Sequence, residues 1–197
     1  MNNEKKPESQ HFNVKLEDVR LSYPQLFTPR VQKDAKPGAK PKYGASFILD
    51  KNNPKHVAKI AEIEKVIAAV KADFFGTRPQ KGILGVALRK GDEPNKVDVD
   101  GYGPDVMFVS TSTTRKPAVV DRDLSPLSEE DPKLYAGCYV NATVRFWFQD
   151  NEFGKKVNAE LRAVQYWHKG PAFGAEPVDT TKEGFEVAEA EEDESPL

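Results

Sequence analysis

Residues 139–149, YVNATVRFWFQ, gather the groups with the most chemistry to offer. Val140, Ala142, Val144, Phe146 and Phe148 alternate with Tyr139, Asn141, Thr143, Arg145, Trp147 and Gln149. Strict period two, in β-branched and aromatic residues, predicts a strand with one apolar face. The other face interleaves two aromatic rings, a guanidinium and amides. Flat rings stack on unpaired bases and a guanidinium neutralises phosphate, so this face suits a single-stranded nucleic acid. Equally, Trp147 and Tyr139 can pack beneath a loop or a second sheet, as large aromatics commonly do.

No catalytic constellation competes with that reading. His11, His56 and His168 are scattered, and no HExxH, GxSxG or Cys/His pair occurs. Gly154-Lys155 is not a phosphate loop, because Lys156 stands where the magnesium-binding Ser or Thr belongs. A nuclease needs carboxylates clustered around magnesium, and the spacing of Asp98, Asp100, Asp105 and Glu160 does not ask for one. Asp98-Val99-Asp100-Gly101 resembles part of a calcium loop without its downstream oxygens and reads as a turn. The single cysteine, Cys138, excludes an internal disulfide framework and thiolate clusters. The expectation is a non-enzyme without cofactor or metal.

Charge points the same way as the rings. The net charge is −2, yet Glu183, Glu186, Glu189, Glu191, Glu192, Asp193 and Glu194 all fall in residues 183–197, which hold no base. The other 182 residues carry 29 basic and 24 acidic side chains, a net of +5. A basic body with an acidic tail predicts a polyanion-binding surface and a solvated interaction tail. Apolar runs are short, residues 66–70 being typical, and the N-terminus lacks an apolar segment; a cytoplasmic protein is expected.

The elements that position these groups are mainly strands. Phe12, Val14 and Leu16 alternate, then Val19, Leu21 and Tyr23 on a shifted register, which predicts a β-bulge at Glu17-Asp18 and a strand ended by Pro24. Residues 28–42 hold Arg30, Lys33, Lys36, Lys40 and Lys42 against one acid, with prolines and glycine, and predict a basic loop. Residues 43–50 alternate as a second strand. Asn53-Pro54 starts a helix that turns Val57, Ile60, Ile63, Ile67, Val70 and Phe74 inward and closes at Gly76.

A short strand over residues 83–88 and strands at 105–114 and 118–120 follow. The hairpin tipped by Lys155 and Lys156 then returns along residues 157–167, with a second bulge near Arg162-Ala163. About five strands, two bulges and one helix favour a small closed or nearly closed barrel.

Residues 19–29 (VRLSYPQLFTP), 42–51 (KYGASFILDK), 115–123 (RKPAVVDRD), 134–150 (LYAGCYVNATVRFWFQD) and 154–165 (GKKVNAELRAVQ) are similar to a group of bacteriophage single-stranded DNA-binding proteins with an OB fold. The resemblance spans residues 19–174. It implies a mainly β, five-stranded OB barrel with one packed helix, the domain being taken as residues 11–174; the polar residues 1–10 read as a flexible N-terminus and residues 175–197 as an acidic tail. It further implies sequence-independent coating of single-stranded DNA during phage replication or recombination, in the host cytoplasm. OB folds bind oligonucleotides on the face of strands two and three and between the loops joining strands one to two and four to five. Here the helix follows the second strand, whereas the usual plan sets it between the third and fourth.

In that role Tyr43, Tyr139, Trp147 and Tyr166 are the candidates for base stacking. Lys40, Lys42, Arg115, Lys116, Arg145, Lys155 and Arg162 are the candidates for phosphate contact. Glu191, Glu192, Asp193, Glu194 and the terminal Leu197 would dock replication or recombination proteins and compete with DNA, being a polyanion too. A homo-oligomer is compatible with the sequence and a membrane partner is not. A structural virion or tail protein, and a metal-dependent nuclease, are the rival readings.

Overall fold

The computed structural model describes residues 12–31, 35 and 38–174. The N-terminal segment 1–10, the whole acidic tail 175–197 with Glu191, Glu192, Asp193, Glu194 and Leu197, and His11, Lys33 and Lys36 lie outside the described residues.

In chain order the elements are β1 (Asn13–Arg30), β2 (Lys42–Asp50), α1 (Pro54–Phe75), β3 (Ile83–Val86), β4 (Leu88–Lys90), a 3-10 turn (Pro94–Lys96), β5 (Val106–Thr113), β6 (Ala118–Val120), β7 (Tyr139–Asn151) and β8 (Gly154–His168). Five of them close a barrel in the order β1-β2-β5-β8-β7, with β7 returning to β1. Closure comes at a parallel contact between Thr111 of β5 and Ala159 of β8. The edge of β8 is shared along its length by β3, β5 and β6, so the short strands cover what the barrel leaves open. This is the mainly β OB barrel with one helix, and α1 lies between the second and third barrel strands.

Both expected bulges are present. β1 slips between Leu16 and Val19 in its pairing with β7, with Asp18 at φ 54°. β8 slips at Arg162, because Thr143 faces Ala163 while Val144 faces Leu161. Each slip lets a strand too long to lie flat curl around the barrel. The interior holds Val14, Leu16, Val19, Leu21, Phe47, Leu49, Val109, Val140, Val144, Phe146, Leu161 and Val164. Each such fully buried side chain contributes ~1.5–3 kcal/mol.

Helix α1 packs on that core through Ile60, Ile63, Ile67 and Val70. Asn53 caps it, its Oδ1 accepting the Lys55 amide at 3.0 Å, and the Gly76 amide donates to the Ala72 carbonyl at 2.8 Å. At the far end Phe74 stacks on Phe148, 4.0 Å between ring centroids.

Two expectations are corrected. Val57 is exposed, and the first helical turn instead buries His56. Its Nδ1 accepts the Asp50 amide at 3.0 Å, so its Nε2 donates to the Asp18 carbonyl at 3.1 Å, tying helix, β2 and the first bulge together. Pro24 does not end β1. The strand continues to Arg30 because Tyr23, at φ 48°, bulges out between Ser22 and Gln25, and a proline inside a bulge withholds no ladder hydrogen bond.

Candidate nucleic-acid interface

Pairing register fixes which side chains leave the barrel. Ser22 faces Ser46, Ser46 faces Ser110, Gly44 faces Ser112 and Ile48 faces Phe108, all on the outer side of β1, β2 and β5. Their partners in alternation, Phe47, Leu49 and Val109, fill the interior. Small side chains thus floor a shallow outer face. Gly44 is required there: a Cβ would lie 2.4 Å from the Thr111 carbonyl oxygen.

Three clefts run into one another across this floor. The middle one is lined by Tyr23, Gln25, Arg30, Lys42, Tyr43, Gly44, Ser46, Ser110 and Ser112. It shares the Ser110–Ser112 stretch with a cleft of about 690 Å³ bounded by Leu84, Arg89, Lys90, Lys156 and Asn158. At the other end it shares Tyr23, Gln25 and Arg30 with a cleft of about 540 Å³ that reaches Asp98, Asp100, Phe173 and Gly174. The trough therefore crosses β1, β2, β5 and β8, lying between the β1–β2 connection and the β7–β8 hairpin.

Rings and cations concentrate at one side of it. Tyr102 packs edge-on against Phe108, 5.1 Å between centroids, and lies 6.2 Å from Tyr23. Lys96 places its ammonium 4.1 Å from the Tyr23 centroid and 4.4 Å from that of Tyr102. The Arg89 guanidinium lies 5.2 Å from Phe108 and is held by Glu93, Nε to Oε1 at 3.1 Å. The Tyr102 hydroxyl donates to Ser22 Oγ at 3.1 Å; burial pushes its phenol above the ordinary range, which that hydrogen bond partly opposes. Tyr23 is 49% exposed on a left-handed backbone costing about 1–3 kcal/mol, strain of the kind concentrated at functional sites.

The predicted residues divide. Lys42 and Tyr43 line the trough, and Lys40 is exposed on the connection leading to it. Trp147, 41% exposed, pairs with the lining residue Asn158 and so stands at the trough's far rim. Arg115 and Lys116 are exposed in the turn after β5, and Arg162 is exposed at its bulge.

Others are committed elsewhere. Tyr166 is 8% exposed and belongs to the core: the bulge at Arg162 shifts the register and turns it inward beside Val164. Tyr139 is half-buried, stacked on His168 at 4.3 Å and closed over by Gly170, where a Cβ would meet its ring at 2.8 Å. Arg145 is paired with Glu160 at 2.6 Å on the outer face of β7 and β8. Lys155 turns to the helix end, 5.6 Å from the Phe75 ring and 3.9 Å from Asp150, so Lys156 is the hairpin lysine on the trough wall.

Sequence reasoning missed Tyr23, Lys96, Tyr102, Phe108 and Arg89 as site residues. The available signal was an aromatic directly before a proline at the end of a strand, Tyr23-Pro24. Lys96 and Tyr102 lie in the turn-rich segment between β4 and β5, Arg89 on the three-residue β4, and Phe108 on the outer face of β5. Among the described residues no three His, Cys, Asp or Glu side chains gather where they could hold a metal ion. No described helix is long and apolar enough to cross a membrane.

Comparison with known proteins bears on the family and the fold. Residues 12–195 match the family model of the Enterobacter phage Enc34 single-stranded DNA-binding protein. Putative protein p50 of Acyrthosiphon pisum secondary endosymbiont phage 1 is 36% identical over 189 residues, 92% of this chain and 97% of that protein. The structure of the Enc34 single-stranded DNA-binding protein in complex with ssDNA superposes with a TM-score of 0.68 at 25% identity, over 82% of this chain and 89% of that one. The bacteriophage T7 gp2.5 structure shares the fold at 13% identity and a TM-score of 0.55, over 91% and 98%. With its closed barrel, its helix after the second strand and a match running through almost the whole sequence, the chain belongs to the family of the Enc34 phage single-stranded DNA-binding protein.

Proposed function

We propose that this chain binds single-stranded DNA without sequence preference and coats it during phage DNA replication or recombination, in the cytoplasm of the infected cell. The observation that carries the reading is the trough over β2 and β5, floored by Gly44, Ser46, Ser110 and Ser112 and flanked by Tyr23, Arg30, Lys42, Lys96 and Lys156. Serines and a glycine let a strand approach the sheet closely, rings accept any base and cations meet the phosphates. The complex of the related Enc34 protein with ssDNA supports the same ligand. The reading needs no cofactor and no catalytic group. Residues 1–10, 11–174 and 175–197 then serve as N-terminal extension, binding domain and acidic tail. Glu191, Glu192, Asp193, Glu194 and Leu197 of that tail recruit replication or recombination proteins and compete with DNA for the trough.

A titration with oligo-dT and with duplex of equal length, each at two salt concentrations, tests this. Preference for the single strand, with affinity falling steeply as salt rises, is expected because phosphate contacts release counterions. Equal binding to duplex, or binding indifferent to salt, would overturn the reading.

A further inference from the structure

Lys96 occupies an unusual place: its ammonium rests against two tyrosine rings at once while, among the described residues, it pairs with no carboxylate. We propose that the gap between Tyr23 and Tyr102 is a slot for one nucleobase, kept open in the free protein by the Lys96 side chain. When the base enters, Lys96 leaves the rings for the phosphate beside it. The proposal rests on the single-stranded DNA reading and names a subsite within it.

The two walls differ in the way a clamp requires. Tyr102 is fixed, wedged edge-on against Phe108 with its hydroxyl bonded to Ser22. Tyr23 is the exposed wall, lifted out of β1 by its left-handed backbone. Their centroids are 6.2 Å apart with planes tilted by 45°. A planar base between two rings needs about 7 Å, one van der Waals contact on each face. Tyr23 therefore has to move outward by roughly an ångström and rotate toward parallel, a small rearrangement for a side chain half in solvent.

The ammonium caps the open side of the gap: at 4.1 and 4.4 Å from centroids 6.2 Å apart it lies beside the line joining them, at the edge of the space a base would fill. Held by ring faces alone, it is a cation that loses little on leaving, and the incoming nucleotide brings the phosphate to receive it. The neighbouring Arg89 cannot play this part, since Glu93 already holds it. Lys96 is thus both spacer and counter-charge.

The test uses the full-length protein, oligo-dT and a series of salt concentrations, with K96M, Y23F, Y23S and Y23S/K96M. K96M keeps the length that props the rings and removes the charge. It should bind about 10-fold more weakly at low salt, with a salt slope smaller by about 0.7, one phosphate contact on a single strand. Y23F should stay within about two-fold of the parent and Y23S should lose about 10-fold, as for one lost stacked base. Because Lys96 reaches its phosphate only when the base is seated, K96M should cost much less in the Y23S background than in the parent. An unchanged salt slope in K96M, or losses that simply multiply in the double variant, overturns the slot. A parent protein that fails to bind oligo-dT sinks the function itself, which keeps the two failures distinct.

Discussion

Lys155 and Lys156 are adjacent in the chain and serve opposite sides of β8. Lys155 lies over Phe75 at the end of α1, whereas Lys156, facing Gln149, lines the trough beside Asn158. Alternation along a strand makes this unavoidable, and it leaves only one of the two on the trough wall. K156A is expected to weaken oligo-dT binding several-fold and to lower the salt slope by about 0.7. K155A should leave both within experimental scatter and cost ~0.5–1 kcal/mol of stability through the ring contact. Equal DNA-binding defects in the two variants would contradict the orientation of β8.

Trp147 and Trp167 are both exposed, at 41% and 37%, but only Trp147 stands beside the trough. Trp167 lines a separate cleft between β8 and the start of α1, with the Arg122 guanidinium 5.1 Å above its ring. Fluorescence quenching on adding a single strand should therefore come from Trp147. W147F should abolish most of the quench while W167F preserves it. The reverse pattern would place the strand on the wrong side of the barrel.

How much of this was legible in the residues depends on how local each signal is. The alternation of residues 139–149, the slips at Glu17-Asp18 and Arg162-Ala163, and the Asn53-Pro54 cap are written within a few positions, and each appears in the structure. The slip at Arg162 also shows why Tyr166 is not a site residue: once one residue is extruded, every later side chain changes sides. Tyr139 failed for a different reason. Its ring is covered by His168 and Gly170, and the approach of that following segment is a tertiary event with no periodic trace. The Tyr23, Lys96 and Tyr102 cluster was illegible for the same reason, being assembled from a bulge, a 3-10 turn and an irregular connection. The barrel could thus be read from periodicity, while the slot in its surface could not.

Gly137 is the position where the segment after β8 crosses the barrel. Its φ is 109°, and a Cβ would lie 2.2 Å from the Pro171 carbonyl oxygen. Arg20 fastens the same crossing, donating to the Gly137 carbonyl at 3.2 Å and to that of Pro171, with its guanidinium 4.1 Å from the Phe173 ring. G137A meets both backbone strain and a backbone clash, so a loss of about 1–3 kcal/mol is expected. In a domain of this size that lowers Tm by roughly 2–4 °C per kcal/mol. A melting curve indistinguishable from the parent would show that the crossing segment is not held as described.

Cys138 is fully buried beside that crossing, and burial pushes its thiol above the ordinary range. The thiolate is the reactive form, so native protein should resist iodoacetamide at neutral pH while denatured protein is alkylated rapidly. The linkage has a definite sign. Because the folded thiol holds its proton more tightly than the unfolded one, the contribution to stability is intact below the unfolded pKa. It declines as pH rises above that value. Rapid alkylation of the native chain would mean that this part of the barrel opens readily.

The acidic tail starts from a defined point. Gly174 is the last described residue; its amide donates to Asp100 Oδ2 at 2.7 Å, and with Phe173 it lines the cleft that shares Tyr23, Gln25 and Arg30 with the trough. Residues 175–182 connect this anchor to the acidic run of 183–197. Eight residues reach about 30 Å when extended, enough to bring carboxylates to Arg30, Lys42 and Lys96. A tail that competes for those cations lowers apparent DNA affinity, and removing it relieves the competition. Deletion of 183–197 should therefore tighten oligo-dT binding several-fold at low salt, with the gain shrinking as salt screens both ligands. Equal or weaker binding by the truncated chain would refute competition by the tail.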